Sequence, residues 1–144
     1  MILDSSSIVA ILRAEPEAPD FTKAIESAVG SPAGCRVSAV SYVETAVVID
    51  SARDAIASRR FDDFFRAARI TVEAVTPRQA EIARQAYRDF GKGRHKAGLN
   101  LGDCFAYALA KEMDEPLLFK GDDFRHTDVE SAGGPKRQGL TTPL

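Results

Sequence analysis

The 144-residue sequence has only two cysteines, which are too few for a disulfide framework or a cysteine-rich zinc site. It also lacks a long apolar run, since the longest clearly apolar one, without Tyr or Cys, is residues 8–12, far shorter than the roughly 20 residues of a membrane span. No basic start followed by an apolar stretch opens the sequence, so we expect no signal peptide. These features predict reduced thiols, no membrane partner and a cytoplasmic location.

The sequence also lacks a strong net charge, with 19 Lys and Arg against 21 Asp and Glu and a formal charge of −2. Taken alone, this balance weakly disfavours a nucleic-acid partner, because nucleic-acid binders usually carry a basic excess. The charges are nevertheless unevenly placed. Residues 84–98 hold five cations and one acid, whereas residues 114–130 hold six acids and two cations. Such a division would suit a polyanion on one segment and a metal ion on the other.

Composition and periodicity favour a single α/β domain. Apolar residues make up 44% and charged residues 28%, as in average globular proteins. Short apolar segments predict strands at residues 1–3, 35–37, 70–75 and 117–119, and helical spacing predicts helices between them. This alternation is typical of a mainly parallel sheet covered by helices. We predict one domain over residues 1–130 and a loosely ordered C-terminal tail over residues 131–144.

Acidic side chains follow the predicted strands. Asp4 comes directly after the first, Glu44 lies in the helix after the second, and Asp122 and Asp123 follow the fourth. Asp103 lies in the first turn of a late helix. Because parallel strands end at one edge of a sheet, these acids could converge there. Acids in apolar surroundings need a partner, and hard divalent cations prefer oxygen ligands, so the pattern favours a metal site.

Each acid also has an ordinary structural explanation. Asp4 could be a helix N-cap, and Asp103 could complement a helix dipole. Glu44 could face solvent, and Asp122 and Asp123 could be turn residues. Only the joint pattern favours a shared site over these alternatives.

Four longer segments, at residues 1–7, 38–46, 87–110 and 116–129, closely resemble PIN-domain ribonucleases. Among these the sequence is most similar to the VapC toxins of bacterial type II toxin–antitoxin systems, over residues 1 to about 130. The resemblance implies a PIN-like three-layer α/β/α sandwich with a mainly parallel sheet of four to five strands. It also implies Mg²⁺- or Mn²⁺-dependent cleavage of RNA, with tRNA as a reasonable guess, inhibition by a VapB-like antitoxin, and a homodimer.

Carried over position by position, the resemblance makes Asp4, Glu44 and Asp103 the first three acids of the family site. Many relatives have an Asp two residues before the Asp-Phe pair, but here that position is Gly121. Asp123 is the preferred fourth acid, and the alternatives are Asp122 and Asp128.

From this assignment we expect Asp4 and Asp103 to be the main metal ligands. Glu44 and Asp123 would complete the site and orient the attacking water. Ser5 or Ser6 would donate a hydrogen bond to a ligand carboxylate or to the phosphate.

A glycine-rich basic loop precedes Asp103, and its cations predict contacts with RNA phosphates. The residues expected to bind RNA are Lys92, Arg94, His95 and Lys96. The alternative is a solvated, flexible connection. His95 could contact a phosphate or, less simply, act as a general acid.

Two other functions and one structural question stay open. A response-regulator-like phosphoacceptor would also have an acid after the first strand, but it needs an acid pair where Asp4 is followed by serines. A non-catalytic PIN-fold module would bind a partner and keep the fold. Phe61, Phe64 and Phe65 either pack in the core or line a groove for an antitoxin helix.

Overall fold

A parallel four-stranded sheet forms the centre of the computed structural model, which describes residues 1–133. The strands are β1 (Ile2–Leu3), β2 (Arg36–Ser38), β3 (Thr71–Glu73) and β4 (Leu117–Leu118). Their order is β3-β2-β1-β4, and every neighbouring pair is parallel. The predicted parallel α/β architecture is therefore confirmed. Most of the predicted C-terminal tail, residues 134–144, lies outside the described residues.

Six α-helices within residues 1–133 flank the sheet and complete a three-layer α/β/α sandwich. They are α1 (Ser5–Leu12), α2 (Ala18–Val29), α3 (Ala39–Asp50), α4 (Ala55–Ala67), α5 (Pro77–Phe90) and α6 (Leu101–Met113). Helices α5 and α6 pack together over one face of the sheet, and α1, α2 and α4 contribute to the core on the other face.

The neighbouring strands β1 and β4 supply side chains to both cores. Ile2 and Leu117 enter the core under α5 and α6, while Leu3 and Leu118 enter the opposite core. This alternation follows from the two-residue period of a strand. Because both faces of the sheet are covered, β1 and β4 consist only of apolar residues. The first polar residue after β1 is Asp4, which lies where the strands have their carboxyl ends.

The structure differs from the sequence prediction at the ends of two strands. β3 is shorter than residues 70–75, because its pairing to β2 involves only Thr71 to Glu73. The acidic segment after β4 contains a 3₁₀ turn, Asp123–His126, where only a loop was expected. Ordered pairing also extends past residue 130, since the Ala132 N–H donates to the Leu117 carbonyl at 2.9 Å.

The aromatic cluster on α4 belongs to the core. Phe61 is buried, its ring lies 4.7 Å from that of Phe65, and Tyr42 contacts both rings. Phe64 packs against Phe65 at 6.1 Å. Core packing is thus the alternative that the structure supports for these phenylalanines. None of the helices in residues 1–133 is long and apolar enough to cross a membrane.

Candidate active site

Asp4 lies at the carboxyl end of β1 and caps α1. Its Oδ2 accepts hydrogen bonds from the Ser6 N–H at 3.0 Å and the Ser6 hydroxyl at 2.5 Å. Its Oδ1 is buried and has no hydrogen-bond partner among residues 1–133. Burial raises the pKa of Asp4, against the lowering effect of the bonds from Ser6, and the charge of Asp123 raises it further. The N-cap role therefore uses only one oxygen of this carboxylate.

The Ser6 hydroxyl connects Asp4 to the loop after β4. It donates to Asp4 and accepts the backbone N–H of Lys120 at 3.0 Å. The Lys120 ammonium in turn binds Glu15 at 2.6 Å and lies 3.5 Å from Glu17. The Ser5 hydroxyl makes no hydrogen bond within residues 1–133, so Ser6 is the serine that the geometry places in the site.

Glu44 approaches the same region from the second turn of α3, whose first turn is capped by the Ser38 hydroxyl. Its carboxylate lies against Gly102, where a Cβ atom would collide with it. Burial raises the pKa of Glu44 to about 7, and the charges of Asp4 and Asp103 add to that rise. The small residue before Asp103 therefore makes room for an acid from another helix.

Asp103 is held by a capping box at the start of α6. Its Oδ2 accepts the Asn100 N–H at 3.0 Å, and the Asn100 Oδ1 accepts the Asp103 N–H at 2.9 Å. Burial raises the pKa of Asp103 to about 6, the bond from Asn100 opposes the rise, and the charges of Asp4 and Asp123 add to it. The capping box gives Asp103 a structural role at the helix N-terminus, where the dipole explanation also placed it, without excluding a place in the acidic cluster.

Asp123 is the exposed first residue of the 3₁₀ turn. The next residue, Phe124, is buried and its ring lies 5.2 Å from that of Phe119, which fixes the turn against the core. The charge of Asp123 acts on both Asp4 and Asp103. Asp123 therefore lies close enough to Asp4 and Asp103 for its charge to act on both.

The two alternatives to Asp123 are engaged elsewhere. Asp122 is 83% exposed and lies 3.4 Å from Arg125. Asp128 accepts bonds from the Tyr107 hydroxyl at 2.6 Å and the Lys111 ammonium at 3.0 Å. Burial of Asp128 raises its pKa, but these bonds outweigh burial and leave it below its ordinary value. Neither acid acts on Asp4, Glu44 or Asp103, so the geometry favours Asp123.

The cluster has the oxygen donors that suit a hard divalent cation. Within residues 1–133 no three His, Cys, Asp or Glu side chains are placed so that they could hold a metal ion together, so these acids are neighbours without a preformed cage. The unpartnered Oδ1 of Asp4 and the raised pKa values of Glu44 and Asp103 nevertheless mark carboxylates that need positive charge. The residues therefore fit a divalent cation bound by carboxylate oxygens.

The basic loop is closed at its base and is not a loose connection. The Lys92 N–H donates to the Leu99 carbonyl and the Leu99 N–H to the Phe90 carbonyl, each at 2.9 Å. Leu99 and Ala97 are fully buried. The His95 Nδ1 accepts the Ala97 N–H at 3.0 Å, which gives this histidine a role in shaping the loop.

The cations of this loop remain at the surface. Lys92, Arg94 and Lys96 are exposed, while His95 is half-buried with its ring 5.3 Å from that of Phe90. Because Leu99 precedes the capping residue Asn100, the closed loop lies next to Asp103 in the chain.

Sequence reasoning missed three residues that shape the site. Asn100 could have been found from its capping-box spacing to Asp103. Gly102 and Lys120 had no such signal, because the approach of Glu44 and the backbone bond to Ser6 connect residues far apart in the sequence.

Comparison with known proteins identifies the class. The profile of the PIN domain matches residues 1–130. The sequence is 50% identical over 133 residues to ribonuclease VapC28 of Mycobacterium tuberculosis strain H37Rv, covering 92% of this chain and 97% of that protein. It is 49% identical over 129 residues to ribonuclease VapC of Mycolicibacterium smegmatis, covering 90% and 97%. The chain therefore belongs to the PIN-domain family, and its similarity within that family is to VapC ribonucleases.

Solved structures support the same fold. The crystal structure of Mycobacterium tuberculosis VapC20, described as a toxin that cleaves the sarcin–ricin loop, superposes with a TM-score of 0.67 at 17% identity, covering 89% of this chain and 95% of that one. A toxin–antitoxin complex from Klebsiella pneumoniae gives a TM-score of 0.67 at 15% identity, covering 92% and 97%. The expected PIN fold is thus confirmed.

Proposed function

We propose that this protein is a metal-dependent endoribonuclease and the toxin of a type II toxin–antitoxin system. The carrying observation is that acids from separate segments of the chain lie near one another. Burial raises the pKa values of Glu44 and Asp103, the charges of Asp4 and Asp103 raise that of Glu44 further, and the charges of Asp4 and Asp123 raise that of Asp103 further. The relatives that share about half of its residues are named ribonucleases, which supports RNA as the substrate.

In this proposal Asp4 and Asp103 hold a Mg²⁺ or Mn²⁺ ion, and Glu44 and Asp123 complete the ligand set. A bound ion of this kind activates water and stabilises charge on the phosphate. Glu44 would also orient the attacking water beside the ion. The bond cleaved is a phosphodiester bond of RNA, and tRNA is the first substrate to test.

Ser6 orients Asp4, and the basic loop holds RNA. The two bonds from Ser6 fix Oδ2 of Asp4 and leave Oδ1 for the cation. Lys92, Arg94 and Lys96 would neutralise phosphates, and the half-buried His95 would support the loop beside them.

The test is an RNA-cleavage assay on Asp4→Asn and Asp103→Asn, with Asp50→Asn on the exposed end of α3 as control. We expect wild-type cleavage to stop on chelation and return with Mg²⁺ or Mn²⁺, while both site variants stay at background. Full cleavage by either variant would contradict the assignment. A wild-type protein that binds RNA but never cleaves it would favour the non-catalytic module.

We further propose a VapB-like antitoxin as partner and a cytoplasmic location. The toxin–antitoxin complex among the structural neighbours supports the partner, and the two buried free cysteines suit a reducing compartment.

A homodimer is supported by the outer face of α3. Val43 and Val47 are 57% and 61% exposed at a spacing of four, beside Glu44. We expect Val43→Asp to convert a dimer to a monomer in light scattering. Ile56→Asp, at an equally exposed apolar position on α4, should leave the mass unchanged. Equal masses for wild type and Val43→Asp would count against this interface.

A further inference from the structure

A row of exposed side chains runs along α5 toward the basic loop. Arg84, Tyr87 and Arg88 follow the spacing i, i+3, i+4 and share one helix face. The opposite face carries the buried residues Ala83 and Ala86, so the exposed row is the solvent side of an amphipathic helix. It ends at Gly91, where the basic loop begins.

Tyr87 and Arg94 join this row to the loop. The Arg94 guanidinium lies 5.3 Å from the centre of the Tyr87 ring, within the range of a cation–π contact. Tyr87 is 43% exposed. A Cβ at position 91 would collide with the Tyr87 ring and carbonyl, so Gly91 makes room for the ring beside the loop. These contacts keep the Tyr87 ring and the Arg94 guanidinium together at the surface of the protein.

The positive charge around this pair is not neutralised by any acid among residues 1–133. The five cations of residues 84–98 form no salt bridge with any acid of residues 1–133. The single acid of the segment, Asp89, accepts instead from Gln85 at 3.0 Å. An aromatic ring, a guanidinium in cation–π contact with it, and cations without a salt bridge among residues 1–133 together resemble the surfaces that bind unpaired nucleic-acid bases.

The row is also connected to the acidic site. The Gly91–Leu99 bridge closes the loop, and the following residue, Asn100, donates its N–H to Asp103. A nucleotide held on the row would therefore be tied to one ligand of the proposed metal site through a short, ordered stretch of backbone.

We propose that Tyr87 and Arg94 form a stacking platform for an unpaired base of the substrate RNA. Arg84 and Arg88 hold the adjoining phosphates. This inference rests on the proposed ribonuclease function and adds a recognition residue, Tyr87, that reads a base face instead of a charge. It favours RNA with splayed single-stranded bases over a uniform duplex.

The experiment measures binding by fluorescence anisotropy in an Asp103→Asn background, where RNA is not cleaved. The probe is a labelled single-stranded RNA of about 12 nucleotides, within the range of known single-strand sites. A second probe has the same length and charge but abasic central positions. Tyr87→Leu removes the ring, Tyr87→Phe keeps it, and Arg59→Ala removes an unpaired cation from α4 as the charge control.

We expect Tyr87→Leu to weaken binding of the intact probe roughly tenfold or more, as loss of base stacking does, with an unchanged salt slope. Tyr87→Phe and Arg59→Ala should bind as the parent does. The abasic probe should bind parent and Tyr87→Leu equally. Arg94→Lys keeps the charge but loses the planar guanidinium, so it should also weaken only the intact probe.

Two results would overturn the inference in distinguishable ways. If the parent binds the intact probe and Tyr87→Leu binds it equally well, the platform is wrong while the proposed function stands. If the parent binds neither probe, the proposed function fails together with the platform. Circular-dichroism melting of each variant confirms that it is folded.

Discussion

At the scale of single residues, the candidate site is defined by acidic side chains whose charges raise the pKa values of neighbouring acids. Asp4 and Asp103 each use one oxygen for a hydrogen bond at a helix N-terminus. This is the ordinary structural role that the sequence alone would suggest for them. The proposed second role, metal binding, is supported by their neighbour Glu44, because burial and the charges of Asp4 and Asp103 raise its pKa. Helix capping and metal binding are therefore compatible uses of one carboxylate.

The raised pKa values of the buried acids predict how the stability of the metal-free protein depends on pH. Folding raises the pKa of Glu44 from an ordinary 4.5 to about 7. Below pH 4.5 both states hold the proton, and between the two values only the folded state does, so the free energy of unfolding falls as pH rises through this window. Asp103 adds the same effect up to about pH 6.

The measurement is thermal melting with chelator present between about pH 5 and pH 8. We expect Glu44→Gln to lose much of the decline that wild type shows. Parallel curves for the two proteins, or a wild type that gains stability as pH rises across the window, would refute the electrostatic description of Glu44.

The two serines after Asp4 give a matched pair of variants. Ser6→Ala removes the donor to Oδ2 and the acceptor for Lys120, so we expect cation affinity or cleavage to fall roughly 10- to 100-fold. Ser5→Ala should be close to wild type in both. Cleavage rates over a Mg²⁺ titration distinguish them, and equal losses in the two variants would argue against a specific role for Ser6.

At this scale the sequence supplied the residue types but not their contacts. It placed Asp4 after a strand and Asp103 in a helical first turn, yet it left Ser5 and Ser6 equivalent. It preferred Asp123 as the fourth acid, but it gave no contact on which to choose Asp123 over Asp122 and Asp128. That choice depends on Arg125, Tyr107 and Lys111, whose side chains take two of the three acids away.

At the scale of elements, α3 and α6 meet at Gly102 beneath the Glu44 carboxylate. A methyl group there has no space, so Gly102→Ala must displace Glu44 or separate the helices. We expect cleavage to fall steeply. Gly30→Ala is the control, because its added Cβ meets only the Ser27 carbonyl at 3.9 Å.

Activity and melting are measured together for these glycine variants. The predicted pattern is a loss of activity in Gly102→Ala that exceeds any change in Gly30→Ala. An active Gly102→Ala enzyme would show that the position of Glu44 is not critical.

The helices were well predicted from sequence because their signals are local. Asp4, Ser38, Asp54, Thr76 and Asn100 each cap the helix that follows. The end of β3 and the closure of the basic loop were not, because they depend on pairing with β2 and on burial of Leu99. Local capping chemistry is readable from sequence, and long-range pairing is not.

At the scale of the whole molecule, the near-neutral net charge conceals two regions of opposite charge. The acids of the site come from four separate regions of the chain and meet at one sheet edge. The cations come from one continuous segment that faces solvent. The weak initial argument against a nucleic-acid partner came from summing these charges, whereas the proposed function depends on their separation.

The central claim is that the four acids, which are far apart in the sequence, together bind one catalytic cation. Calorimetric titration of Mn²⁺ into wild type, Asp4→Asn, Glu44→Gln, Asp103→Asn and Asp123→Asn tests it most directly, with Asp128→Asn as the matched acid outside the site. We predict that each of the four changes weakens the same binding event and that Asp128→Asn leaves it intact. Unchanged Mn²⁺ affinity in Asp4→Asn or Asp103→Asn would contradict the account.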